Sequence, residues 1–263
     1  MTSFVLKIIA LITMFIDHLG YSIYGKFSYL NYIGRIAFPI FAFQISEGFV
    51  HTKNIKKYFI RLLVFAIISQ FPFMLFLSTF SKNIYELNIF FTLSFGLLAI
   101  FIFDKIINTN LTIFNKSIDK FIKLFLGLLI TFFIGVIAEL LNFDYGLFGI
   151  AIIFMFYLFK NDKVAMIISF ITACIIKYGI YYIKSYNYLY WFLCTFNIFP
   201  IIFISLYNKK QGPKVKYLLY LFYPIHLLVL YLFTKYILYY IYKTVMIFYN
   251  KFTFFLYKTF LLI

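Results

Sequence analysis

The sequence predicts an all-α, polytopic integral membrane protein with nine to ten transmembrane helices. Three observations carry that reading. Of 263 residues, 65% are hydrophobic and only 12% charged, where a soluble domain is roughly 25% charged. The apolar runs are long instead of alternating in ten-residue units, which selects helices over a membrane β-barrel. Mean hydropathy is +0.97, with 40 Phe and 25 Tyr beside a single Trp. Together these exclude a disordered chain, a disulfide or collagen-like scaffold and an ordinary water-soluble enzyme.

At ~20 residues per crossing, spans are expected near 4–23, 31–50, 58–80, 87–104, 121–141, 146–160, 163–182, 188–207 and 216–240. The sixth is short. A tenth segment, 244–262, carries Lys251 and Lys258 among Phe and Tyr, a mixture that suits either a further span or an interfacial anchor. No polar tract is long enough for a separate domain. The first apolar run carries Lys7, Asp17 and His18 and no basic stretch precedes it, so no cleavable signal is expected.

Charge orients the spans. Lys and Arg number 24 against 8 Asp and Glu, a formal net of +16. Fourteen of the basic residues fall in or beside the even loops: Lys53, Lys56, Lys57 and Arg61; Lys105, Lys116, Lys120 and Lys123; Lys160 and Lys163; Lys209, Lys210, Lys214 and Lys216. The other side has Lys26, Lys82, Lys184 and Lys177. The positive-inside rule then makes the even loops and the N-terminus cytoplasmic, in a cell inner or cytoplasmic membrane. With the sequons at Asn110 and Asn115 placed in a cytoplasmic loop, glycosylation is discounted. The excess charge is mostly a topological signal; nucleic acid is not an expected partner, since no basic soluble domain exists to bind it. Cys174 and Cys194 lie inside apolar runs and read as packing residues, with no metal or disulfide spacing.

The remaining ionisable groups are few and sit inside spans, where they are costly and point to function. Asp17 and His18 lie in span one, Arg35 in span two, Glu47 and His51 at its end, Glu139 and Asp144 at the end of span five, and His226 in span nine. Lys7 and His18, eleven residues apart, share a helix face and stand ~16 Å apart along the axis. By depth, Asp17, His18, Arg35, Glu139 and Asp144 gather in the half of the membrane away from the basic loops, with His226 near the midplane. Each group also has a structural reading: an Asp–His packing lock, an Arg35 ion pair with Asp17 or Glu47, a cap at Glu47 and His51, a kink at Tyr223-Pro224-Ile225-His226.

Several segments taken in order resemble the TraX family of membrane proteins. They are Lys7-Ile-Ile-Ala10 with Met14 and Asp17-His18; Gly34-Arg35-Ile36-Ala37-Phe38-Pro39; Glu47-Gly48-Phe49; Lys57-Tyr58 with Arg61; Gln70-Phe71-Pro72; Asn88 through Thr92-Leu93; Asp144-Tyr145-Gly146-Leu147-Phe148-Gly149; and Phe222-Tyr223-Pro224-Ile225-His226. The resemblance spans about residues 5–235. It implies one TraX-like transmembrane acyltransferase domain over 1–240 and an additional transmembrane or interfacial helix over 241–263.

It further implies an acetyltransferase. The family is known for acetylating the pilin N-terminus in conjugation, and is grouped with membrane acyltransferases that take acetyl groups from cytoplasmic acetyl-CoA. Those relatives carry a basic residue ahead of a first-helix histidine, which Lys7 and His18 resemble, and a functional arginine, which Arg35 resembles. On this reading acetyl-CoA meets Lys7, Lys53, Lys56, Lys57 and Arg61 at the mouth, and its pantetheine arm, on the order of 15–20 Å long, matches the Lys7–His18 rise. His18 would be the general base, oriented by Asp17 or Glu139, with Arg35 stabilising the oxyanion and His226 as rival base. The lipid bilayer, acetyl-CoA and an acceptor peptide or glycan are the expected partners, with no metal. Two other classes stay open from the residues: a transporter with a proton relay through Asp17, His18, Arg35 and Glu139, and a non-catalytic assembly factor. A tunnel from a Lys-rich mouth towards His18 distinguishes acyl transfer; a wide pore or two pseudo-symmetric halves distinguishes transport.

Overall fold

The computed structural model describes residues 1–109, 112–113, 116–117, 119–213, 216–241, 243, 244 and 246. Among them the chain is a helical bundle: α1 (Ser3–Tyr24), α2 (Tyr29–Gly34), α3 (Ala37–His51), α4 (Ile55–Leu77), α5 (Ile89–Asn108), α6 (Lys120–Leu140), α7 (Gly146–Leu158), α8 (Lys163–Ser185), α9 (Leu189–Ile198), α10 (Pro200–Ser205) and α11 (Lys216–Leu232). A π-helical segment, Phe233–Leu238, extends α11, and a two-rung antiparallel ladder pairs Thr112–Ile113 with Lys116–Ser117. The expected tenth segment lies largely outside the described residues, as do Asn110, Asn115 and Lys214.

Seven helical stretches are long and apolar enough to cross a membrane, which makes the protein multi-pass. The expected sixth and eighth spans are the exceptions. Helix α7 has 13 residues, a rise of only ~20 Å. The eighth is split into α9 and α10 at Phe199-Pro200, with Pro200 at the first position of α10, where its missing N–H breaks the ladder.

Proline also explains how span two is built. Pro39 cannot donate to the Arg35 carbonyl, and its ring crowds that group. The chain responds with tighter i→i−3 bonds, Arg35 N–H to the Tyr32 carbonyl at 3.2 Å and Ile36 N–H to the Ile33 carbonyl at 3.1 Å. That divides the span into α2 and α3 and puts Arg35 at the break. Helix α1 starts on Thr2, whose side chain accepts the Val5 N–H, and stops at Gly25, which takes φ 62° to end the helix.

Burial separates core helices from lipid-facing ones. Phe38, Ile40 and Ala42 of α3 and Leu97, Ala99 and Ile100 of α5 are almost wholly buried, so these two helices form the centre. Helix α6 exposes Phe121, Phe125, Phe132 and Phe133, and α8 exposes Val164, Ile168, Ile175 and Ile176. Apolar faces of this extent meet lipid and not water.

Candidate active site

Five helices and two loops surround a cavity of about 780 Å³ that opens at the basic end of the bundle. Along α1 its wall is Ser3, Lys7, Leu11 and Met14, the i, i+4, i+8, i+11 positions of one helix face. The expected shared face of Lys7 and His18 therefore exists, and His18 is the next position along it, one turn beyond Met14.

The mouth is cationic. Lys7, Lys53, Lys57, Arg61 and Lys209 all line it, with His51 at the rim and Glu47 as the single acid. Asn54 starts α4 by accepting the Lys57 N–H at 2.8 Å, so the first turn of α4 presents Lys57 and, one turn later, Arg61. Arg61 is the most constrained of these cations. Its guanidinium carbon lies 5.4 Å from the ring centroids of both Tyr58 and Tyr220, and its Nε donates to the Tyr220 hydroxyl at 3.1 Å. Tyr220 in turn stacks on Phe65 at 4.8 Å. Lys56 faces elsewhere: it borders a separate small depression with Ile55, Phe59 and Leu97. Lys209 and Tyr220 were not singled out from sequence, and Tyr58 entered only as part of the Lys57-Tyr58 segment, with no role. Lys209 is indistinguishable there from an orientation charge, and Tyr220 from the many other tyrosines of the chain.

Met14, Phe90 and Tyr223 line the cavity at its end farthest from the basic mouth. Behind them are the two span histidines, which the structure brings into direct contact. His18 Nδ1 and His226 Nε2 are 2.8 Å apart, and the rings stack at 5.0 Å with 26° between planes. His226 Nδ1 lies 2.7 Å from the Phe222 carbonyl oxygen. Phe76 meets His18 edge-on at 5.2 Å, and Phe15, Phe222 and Tyr223 pack round His226, which is only 4% exposed.

Asp17 and Arg35 form a second unit. Arg35 donates to Asp17 Oδ1 at 2.9 Å and, through Nε, to the Asn31 carbonyl at 3.2 Å. Asn31, fully buried, donates to both the Asp17 carbonyl and carboxylate, at 2.8 and 3.1 Å, and its Oδ1 accepts from Ser28. So the carboxylate beside His18 in sequence points round the helix to Arg35. Glu139 is occupied as well: it accepts the Leu147 N–H at 2.9 Å and thereby caps α7. The carboxylate partner expected for His18 is thus replaced by His226. Asp144 sits in the turn between α6 and α7, where its N–H donates to the Leu87 carbonyl at 2.8 Å and its own carbonyl accepts the Thr92 hydroxyl. Burial pushes its carboxyl up to about 7, against the pull of Arg35 and Lys177.

A family model described as TraX protein matches residues 3–234. The chain belongs to the TraX family. That match takes in the cavity, the histidine pair and the Asp17–Arg35 unit of this chain. It is also similar to the probable fimbrial assembly protein FimC, serogroup H1, of Dichelobacter nodosus, with 27% identity over 248 residues covering 87% of this chain and 94% of the relative. No solved structure matches it.

Proposed function

We propose that this member of the TraX family is a membrane acetyltransferase that moves an acetyl group from acetyl-CoA to an amine or hydroxyl acceptor. One observation carries the reading: a cavity with five cations at its mouth and paired imidazoles one helical turn beyond Met14 of its wall. Such a mouth suits a phosphate-rich donor, and the Lys7–His18 rise of ~16 Å suits a long thin arm between phosphates and thioester. Lys7, Lys53, Lys57, Arg61 and Lys209 hold the donor, and His18 with His226 supplies the base. By charge, the basic end faces the cytoplasm, where acetyl-CoA is available.

The relative's description supports one acceptor class. FimC is described as a probable fimbrial assembly protein, and we take the N-terminal amine of a pilin-type subunit as the first acceptor to try. In the test, purified protein in nanodiscs receives radiolabelled acetyl-CoA and a pilin N-terminal peptide. Label is expected on the peptide amine, and His18→Ala is expected to reduce transfer by about 10²–10⁴-fold. No transfer to any peptide, glycan or small-molecule amine, with no acetyl-CoA-dependent thermal shift, would overturn the proposal.

A further inference from the structure

The histidine contact has a direction. The Phe222 carbonyl can only accept, so His226 Nδ1 carries the proton in the 2.7 Å bond. A neutral imidazole has one donor, which leaves His226 Nε2 as a lone pair. Across the 2.8 Å contact, His18 Nδ1 must then be the donor, and His18 Nε2 is left with an open lone pair. The opposite polarity needs a proton on both nitrogens of His226. That would place a cation among Phe15, Phe222 and Tyr223 in a residue 4% exposed, with no carboxylate in hydrogen-bond reach among the described residues, an unfavourable burial.

Resting on the acyl-transfer reading, we propose that His18 Nε2 is the base and that His226 is a positioning residue, fixed by the Phe222 carbonyl, which holds His18 in its Nδ1–H tautomer. The acceptor's N–H or O–H proton passes to His18 Nε2 as its lone pair forms a bond to the thioester carbonyl carbon. Collapse of the adduct breaks the carbon–sulfur bond. The leaving thiolate takes the proton from His18 Nε2, so CoA departs as the thiol and His18 returns neutral. While His18 is charged, its Nδ1–H bond to His226 Nε2 becomes charge-assisted and stronger. His226 cannot be the base itself: its one lone pair is engaged by His18, and its other nitrogen ends on a carbonyl that takes no proton.

The test uses full-length protein carrying ¹⁵N-histidine, with single-histidine variants for assignment. In the wild type, both His18 and His226 are expected to show a protonated Nδ1 and a bare Nε2. His226→Gln, whose side-chain carbonyl reaches the former Nε2 position, is expected to keep kcat within about tenfold. His226→Leu is expected to lose at least about a hundredfold in kcat with little change in the KM for acetyl-CoA, and its His18 signals are expected to shift to the Nε2–H tautomer. An Nε2–H tautomer at His18 in the wild type, or equal kcat in the Gln and Leu variants, overturns the relay. The tautomer measurement needs no turnover, so it stands or falls separately from the acetyltransferase reading.

Discussion

Arg61 is flanked by two tyrosine faces and has its Nε committed to Tyr220. What remains for a ligand is the pair of terminal NH2 groups, a planar fork suited to a phosphate. A lysine here would keep the charge but lose the fork and the stacked geometry. Arg61→Lys is therefore expected to raise the KM for acetyl-CoA about 5–30-fold with kcat nearly unchanged, corresponding to about 1–2 kcal/mol. Lys160 lies at the same end of the bundle, 3.9 Å over the Tyr157 ring and away from the cavity. For Lys160→Ala the change in KM is expected to stay under about twofold, and steady-state kinetics on both variants separates local geometry from bulk positive charge.

At the scale of elements, the joint between α1 and α2 is the most tightly specified contact near the site. Asp17, Asn31 and Arg35 share its hydrogen bonds, and a Cβ on Gly34 would overlap the Asp17 side chain. Glycine is needed here for close approach. Gly34→Ala is expected to destabilise the fold by about 1–3 kcal/mol and to lower the melting temperature in detergent, while Gly179→Ala, with open space around its Cβ position, is expected to lower it little. The apolar runs made nearly every helix of this bundle legible in the sequence, because a span must satisfy its own backbone. The α2–α3 and α9–α10 breaks were less legible, since a proline inside an apolar run marks a kink without saying how far the chain departs from helix. The pairing of side chains was least legible. Depth along a span follows from 1.5 Å per residue, and it placed His18 and Arg35 correctly at one level. It carries no information about which neighbouring helix faces which, and so the partnership of His18 with His226, 208 positions away, required the fold.

For the molecule as a whole, orientation and pH response are open to measurement. Cys174 and Cys194 are buried, so introduced thiols report cleanly. A membrane-impermeant maleimide added to intact cells is expected to label Asn83→Cys, and to label Lys210→Cys only after permeabilisation; the reverse pattern would invert the assigned orientation. Stability depends on Asp144 through linkage. Its folded-state value of about 7 lies above the ordinary 3.8, so the fold binds the proton more tightly than the unfolded chain does, and its contribution is lost as pH rises through that window. Asp144→Asn is expected to melt higher than the parent at pH 8, with the gap shrinking towards pH 5; a gap independent of pH would show that burial of this carboxyl has no energetic weight.

Helix α7, at 13 residues, falls short of a hydrocarbon core of ~30 Å by about a third. The turn before it is anchored by its backbone to Leu87, whose N–H donates to the Asn142 carbonyl at 2.9 Å and whose carbonyl accepts the Asp144 N–H at 2.8 Å. Of the residues of α7 only Leu158 is exposed, so protein and not lipid surrounds this helix, and its length answers to its neighbours instead of to the thickness of the bilayer.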